Sequence, residues 1–79
     1  MMRYAHIVGW GCYLPERIVT NDELSTMVET SDEWIYQRTG IRTRHIASAE
    51  ESTATLAFEA AARALKVADL HPSQVDLII

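Results

Sequence analysis

Several things are scarce in this 79-residue sequence. It has one cysteine, three glycines and two prolines. The single cysteine, Cys12, cannot close an internal disulfide, so nothing calls for an oxidising compartment and a reducing cytoplasm is expected. No apolar run approaches the roughly 18–20 residues of a membrane span. The opening Met-Met-Arg-Tyr-Ala-His-Ile-Val-Gly-Trp is broken by His6 and glycine before a secretory apolar region can form. A soluble chain without a membrane partner follows. Basic residues are also few, seven Lys and Arg against eleven Asp and Glu, for a net charge of −4. Phosphate-backbone binding needs a broad basic face, so nucleic acid is not an expected partner.

What is present is ordinary for a folded protein: 48% hydrophobic and 23% charged residues, with no low-complexity tract or repeat, which speaks against disorder. A chain of this size buries only about 60% of its unfolded surface and is marginal without help. Tyr4 to Val8 reads as a short strand closed by Gly9-Trp10-Gly11, whose glycines imply tight backbone. A dinucleotide-binding loop is excluded there, because the third glycine is missing and Tyr13-Leu14-Pro15 stands where a helix should open. Cys12 has no sequence neighbour able to activate it as a nucleophile and reads as a packing residue. Thr20-Asn21-Asp22-Glu23 reads as a capping box opening a helix to about Val28, with Leu24, Met27 and Val28 as its apolar face.

Thr30 to His45 is the stretch richest in chemistry. Thr30 and Glu33 form a second capping box, and the helix they open should stop near Thr39, where Gly40 can take the left-handed conformation. Trp34 and Arg38 lie four apart, hence side by side on one helix face. Arg42, Arg44 and His45 follow. An aromatic plane beside guanidinium groups suits a ligand with a flat base and phosphates, through stacking and charge-assisted hydrogen bonds. The plainer alternative is a surface cation–π pair worth ~0.5–1 kcal/mol, and spacing alone favours it. Arg42 and Arg44 have their own plain alternative as solvent-facing positions of an alternating strand, opposite Ile41, Thr43 and His45.

A helix from about Thr53 to Ala68, capped by Ser52, is the longest expected element. Thr55, Glu59, Arg63 and Lys66 form its wet stripe and Phe58, Ala61, Leu65 and Ala68 its opposite face, with alanines small enough for close approach to a sheet. After a turn at Ser73 to Val75, the run to Ile79 lacks polar alternation, the mark of a strand covered on both faces. The expected class is α/β, in the order strand, two short helices, extended segment, long helix, strand. An apolar strand left without a partner suggests that residues 1–79 are the N-terminal part of a larger first domain, incomplete at its C-terminal end.

Val8-Gly9-Trp10-Gly11-Cys12-Tyr13-Leu14-Pro15, Thr20-Asn21-Asp22-Glu23-Leu24, Thr30-Ser31-Asp32-Glu33-Trp34-Ile35 and Arg38-Thr39-Gly40-Ile41-Arg42-Thr43-Arg44-His45-Ile46 together resemble the start of β-ketoacyl-acyl carrier protein synthase III. The resemblance spans nearly the whole chain. It implies the beginning of the first half of a thiolase-like five-layer αβαβα fold. It also implies a reaction: an acyl group, acetyl above all, passes from coenzyme A to a cysteine and condenses with malonyl-acyl carrier protein, with loss of carbon dioxide, to start fatty acid synthesis.

By the same resemblance, Trp34 stacks on the coenzyme A adenine, Thr30 lies within reach of the base and Arg38 approaches the nucleotide phosphates, making this helix one lip of the coenzyme A entrance. Arg42 and Arg44 are instead expected to pair with acids of a larger body. The family's nucleophilic cysteine, histidine and asparagine fall beyond Ile79, so no catalytic residue is assigned, neither Cys12 nor His45 inherits a role, and residues 1–79 alone should be inert. No metal or prosthetic cofactor is implied, since coenzyme A enters as the substrate's handle, and a homodimer is expected of the complete enzyme. Two alternatives stay open: a non-catalytic binding or assembly module that keeps the nucleotide lip, and a related condensing enzyme of polyketide type.

Overall fold

Ile18, Val19 and Thr20 are three β-branched residues in a row, and with Arg17 they form strand β1 (Arg17–Thr20), a pleated conformation that suits such side chains. The sequence reading missed this strand. In the structure, a computed structural model describing residues 3–79, β1 pairs antiparallel with β2 (Thr43–Ile46), Val19 opposite Arg44 and Thr20 opposite Thr43. The ladder continues one residue further, where the Asn21 amide donates to the Arg42 carbonyl at 2.9 Å.

Between these strands lie helices α1 (Asn21–Leu24) and α2 (Asp32–Thr39). The Thr20 hydroxyl caps α1 by accepting from the Glu23 amide, but the box does not close, because the Glu23 carboxylate pairs with Arg17 at 3.1 Å. Nor does α1 run to Val28. The Ser25 and Thr26 hydroxyls donate to the Asp22 and Glu23 carbonyls, both at 2.6 Å, local bonds that compete with helix propagation. Met27 and Val28 are consequently exposed rather than an apolar face.

For α2 the expected capping box shifts by one residue. Ser31, in extended conformation, is the cap, its hydroxyl accepting from the Trp34 amide at 3.2 Å. With Trp34 in the third helical position there is no acid to reach back, so Thr30 and Glu33 do not pair. The far end is as read: Gly40 is left-handed at φ 70°, its amide donating to the Tyr36 carbonyl. A Cβ at Gly40 would meet nothing within 4 Å, so Gly40→Ala tests conformation alone. The expected loss is about 1–2 kcal/mol, the cost of left-handed backbone in a residue with a side chain, read as a fall in the thermal midpoint.

Leu14–Glu51, containing these elements, forms one of two units; the other comprises Met1–Tyr13 and Ser52–Ile79. Its helix α3 (Thr53–Ala68) has the expected limits and cap, with a reciprocal box in which Ser52 accepts from the Thr55 amide and Thr55 accepts from the Ser52 amide. Thr55 thus completes the cap and is also exposed, as expected of the wet stripe. Asp69 ends α3 in left-handed conformation, and a 3₁₀ turn follows at Pro72–Gln74.

The segment before Tyr13 lies on α3 along Ala60, Ala64 and Ala68. A Cβ at Gly11 would fall 2.6 Å from the Ala64 nitrogen and 2.7 Å from the Ala60 oxygen, and one at Gly9 would fall 2.9 Å from the Ala64 oxygen. Both glycines therefore serve close helix contact. The expected strands at Tyr4 to Val8 and Val75 to Ile79 are not formed as ladders. A strand exists only as part of a ladder, and the sheet among the described residues is formed by β1 and β2. Val75 to Ile79, expected to be covered on both faces, is exposed. Phe58, Ala61, Ala62, Leu65 and Leu70 line an open apolar hollow of about 420 Å³ in the same unit. Among the described residues, Pro15, Val19 and Asn21 are buried, Val19 and Asn21 each 1% exposed.

Candidate nucleotide-binding lip

Helix α2 presents Trp34 and Arg38 as their spacing requires: the Arg38 guanidinium carbon lies 5.1 Å from the centre of the indole. Trp34 is 55% exposed, so one ring face stays open to solvent or ligand. Arg38 has no carboxylate partner among the described residues. Beside the indole is a hollow of about 260 Å³ lined by Glu29, Thr30, Ser31 and Trp34. The Thr30 hydroxyl is buried there without a hydrogen-bond partner. Buried polar atoms are almost always satisfied, so this orphan in a residue lining the hollow is unusual.

The other two arginines of the cluster are occupied. Arg42 pairs with Asp32 at 2.9 Å and lies 3.8 Å from the centre of the Tyr36 ring. Its acid partner is inside this chain, not in a larger body. Arg44 is half-buried rather than solvent-facing. It sits opposite Val19 on the covered side of the ladder and donates to the Val19 carbonyl at 3.2 Å and to the Asn21 side-chain oxygen at 2.5 Å. An amide and a carbonyl take the place of the expected acid. Of three neighbouring cations, two build the scaffold and Arg38 is left over.

Two residues that matter here escaped the sequence reading. Tyr36 supplies the surface on which Arg42 lies, and Asn21 joins β2 to α2. The only sequence signal for Asn21 was its place inside a capping motif, which accounts for its backbone but not its side chain. Cys12 is exposed, with its carbonyl accepting from Arg63 at 3.0 Å. The His45 Nδ1 lies 2.5 Å from the Pro15 carbonyl oxygen. Neither is among the residues of the lip. No group of His, Cys, Asp and Glu among the described residues is arranged to hold a metal ion, and no helix among them is long and apolar enough to cross a membrane.

In backbone the chain is similar to solved β-ketosynthase structures. The priming β-ketosynthase of the R1128 polyketide pathway superposes with a TM-score of 0.88 at 39% identity, over 94% of this chain and 22% of its own. The 3-oxoacyl-[acyl-carrier-protein] synthase III of Aquifex aeolicus gives 0.82 at 48% identity, over 89% and 22%. In sequence, the β-ketoacyl-[acyl-carrier-protein] synthase III of Methylococcus capsulatus is 54% identical over all 79 residues, which correspond to 25% of that protein. The chain is therefore homologous along its whole length to β-ketoacyl-acyl carrier protein synthase III, as its motifs indicated, and spans about a quarter of the length of these relatives. No family model matches it.

Proposed function

We propose that residues 1–79 form the opening part of the first thiolase-like half of a β-ketoacyl-acyl carrier protein synthase III. In this enzyme an acyl group, acetyl above all, moves from coenzyme A to a cysteine and condenses with malonyl-acyl carrier protein, releasing carbon dioxide. In this assignment the rest of the enzyme covers the open apolar face of α3 and supplies the cysteine, histidine and asparagine, in a cytoplasmic homodimer. The contribution of this stretch is the coenzyme A lip. Trp34 offers its free face to the adenine, Arg38 its unpaired guanidinium to the phosphates, and Thr30 its orphaned hydroxyl to the edge of the base. The observation that carries this assignment is that the open indole and the residue with the unpartnered buried hydroxyl line one hollow, with a cation free of carboxylate partners beside the indole. A mere surface cation–π pair needs neither the hollow nor the orphan.

The test is a chimera in which residues 1–79 replace the matched quarter of the Methylococcus capsulatus synthase. Trp34→Ala in that chimera should weaken coenzyme A binding by about 1–2 kcal/mol, the lower part of the range for loss of a base-stacking aromatic, because the platform is one-sided. Unchanged affinity by titration calorimetry would return Trp34 to the surface pair. A second assignment, a priming condensing enzyme of polyketide type, is favoured by the superposition on the R1128 enzyme. It keeps the same lip, and turnover with the two pathways' carrier proteins separates them.

A further inference from the structure

Helix α2 carries the proposed lip, yet none of its side chains is fully buried, so apolar packing alone does not hold it in place. Its attachment is polar and converges on one residue. The Asn21 side-chain nitrogen donates to the Asp32 carboxylate at 2.8 Å and to the Ile41 carbonyl at 2.7 Å. Asp32 is the first residue of α2, and Ile41 follows its closing glycine. One amide group therefore grips both ends of the helix. Its oxygen accepts from Arg44, and its backbone nitrogen extends the β1–β2 ladder. Both side-chain N–H donors and the oxygen of Asn21 are used, in a residue 1% exposed. A buried network this well satisfied is rigid. The second Asp32 oxygen binds Arg42, which lies on Tyr36 one turn inside α2, so the clamp reaches the helix body.

We propose that Asn21 is a positioning residue for the nucleotide lip. Without touching ligand, it sets the pitch of α2 relative to the ladder and so the direction in which Trp34 and Arg38 face. This inference rests on the coenzyme A assignment of α2, and it predicts that damage at Asn21 is felt by the nucleotide half of the ligand and not by the pantetheine half.

The experiment compares dissociation constants of coenzyme A and of pantetheine, which lacks the nucleotide, in the intact chimera. Asn21→Asp sets a carboxylate against Asp32 and removes both donors. It should weaken coenzyme A binding about five- to thirtyfold, the loss expected when the Trp34 platform no longer meets the base, and leave pantetheine unchanged. The double variant N21D/D32N reverses donor and acceptor: the new amide at position 32 donates to the new carboxylate at position 21 and accepts from Arg42. It should bind coenzyme A more tightly than N21D but less tightly than the parent, because the carboxylate at position 21 is left facing the Ile41 carbonyl oxygen and the ion pair with Arg42 becomes a bond to a neutral amide. Equal weakening of both ligands, no weakening of either, or a double variant no better than N21D would overturn the proposal. Trp34→Ala, measured on the same two ligands, separates the two claims. If it leaves their ratio unchanged, the nucleotide assignment itself fails; if it shifts the ratio and N21D does not, only the role of Asn21 fails.

Discussion

Gly11→Ala should destabilise the chimera by about 3 kcal/mol, near the top of the usual range for overpacking. The added methyl would sit 2.6 and 2.7 Å from the Ala64 nitrogen and Ala60 oxygen. These are main-chain atoms within a hydrogen-bonded helix, so they cannot swing aside as a side-chain end would. Relief requires the segment before Tyr13 to lift from α3, which gives up its contact with the alanine row. Gly9→Ala should cost less, because its closest approach, 2.9 Å to the Ala64 oxygen, is looser than the 2.6 and 2.7 Å approaches at Gly11. Gly40→Ala, with open space around it, should cost less than Gly11→Ala. Denaturant midpoints of the three variants would establish that order. If Gly11→Ala were the mildest, the close approach of the two segments would be wrong.

The second large effect is expected at Asn21, in overall stability. Asn21→Ala removes partners from the Asp32 carboxylate, the Ile41 carbonyl and the Arg44 guanidinium together. Each buried polar group left unpaired costs about 1–3 kcal/mol. Asp32 and Arg44 retain some access to water, so the sum should fall short of three full penalties, at about 2–4 kcal/mol. The neighbouring Asp22→Ala, at an exposed position, should stay within about 0.5 kcal/mol of the parent. Hydrogen exchange should localise the loss: faster exchange at the amides of Asn21 and of α2, with α3 unaffected.

Local chemistry made much of this protein legible from its residues. Ser52 and the alanine-rich run after it determine α3 to the residue, and Gly40 determines where α2 stops, because caps and left-handed glycines act within one turn of chain. The spacing of Trp34 and Arg38 was enough to put indole and guanidinium side by side, since a helix makes neighbours of residues four apart. The family motif from Thr30 to Ile46 named the relatives. The identity of the α2 cap was a closer contest. Thr30 and Ser31 are both competent, and only the folded chain shows Ser31 taking the role and the Thr30 hydroxyl left free beside Trp34.

Tertiary structure decided whatever depended on distant partners. Whether Tyr4 to Val8 is a strand turns on a neighbour to pair with, and its own residues are silent on that. The segment Arg17–Thr20 found its partner 26 residues on, in Thr43–Ile46, and that pairing turned Arg44 to the covered side against Asn21 and Val19. The division of three arginines into two structural and one free was likewise invisible from spacing, because Asp32, Tyr36 and Asn21 meet them only when the ladder closes. Periodicity and capping are properties of a few consecutive residues and survive in the bare sequence. Which polar groups satisfy one another inside the fold is a property of geometry, and the clamp at Asn21 exists only there.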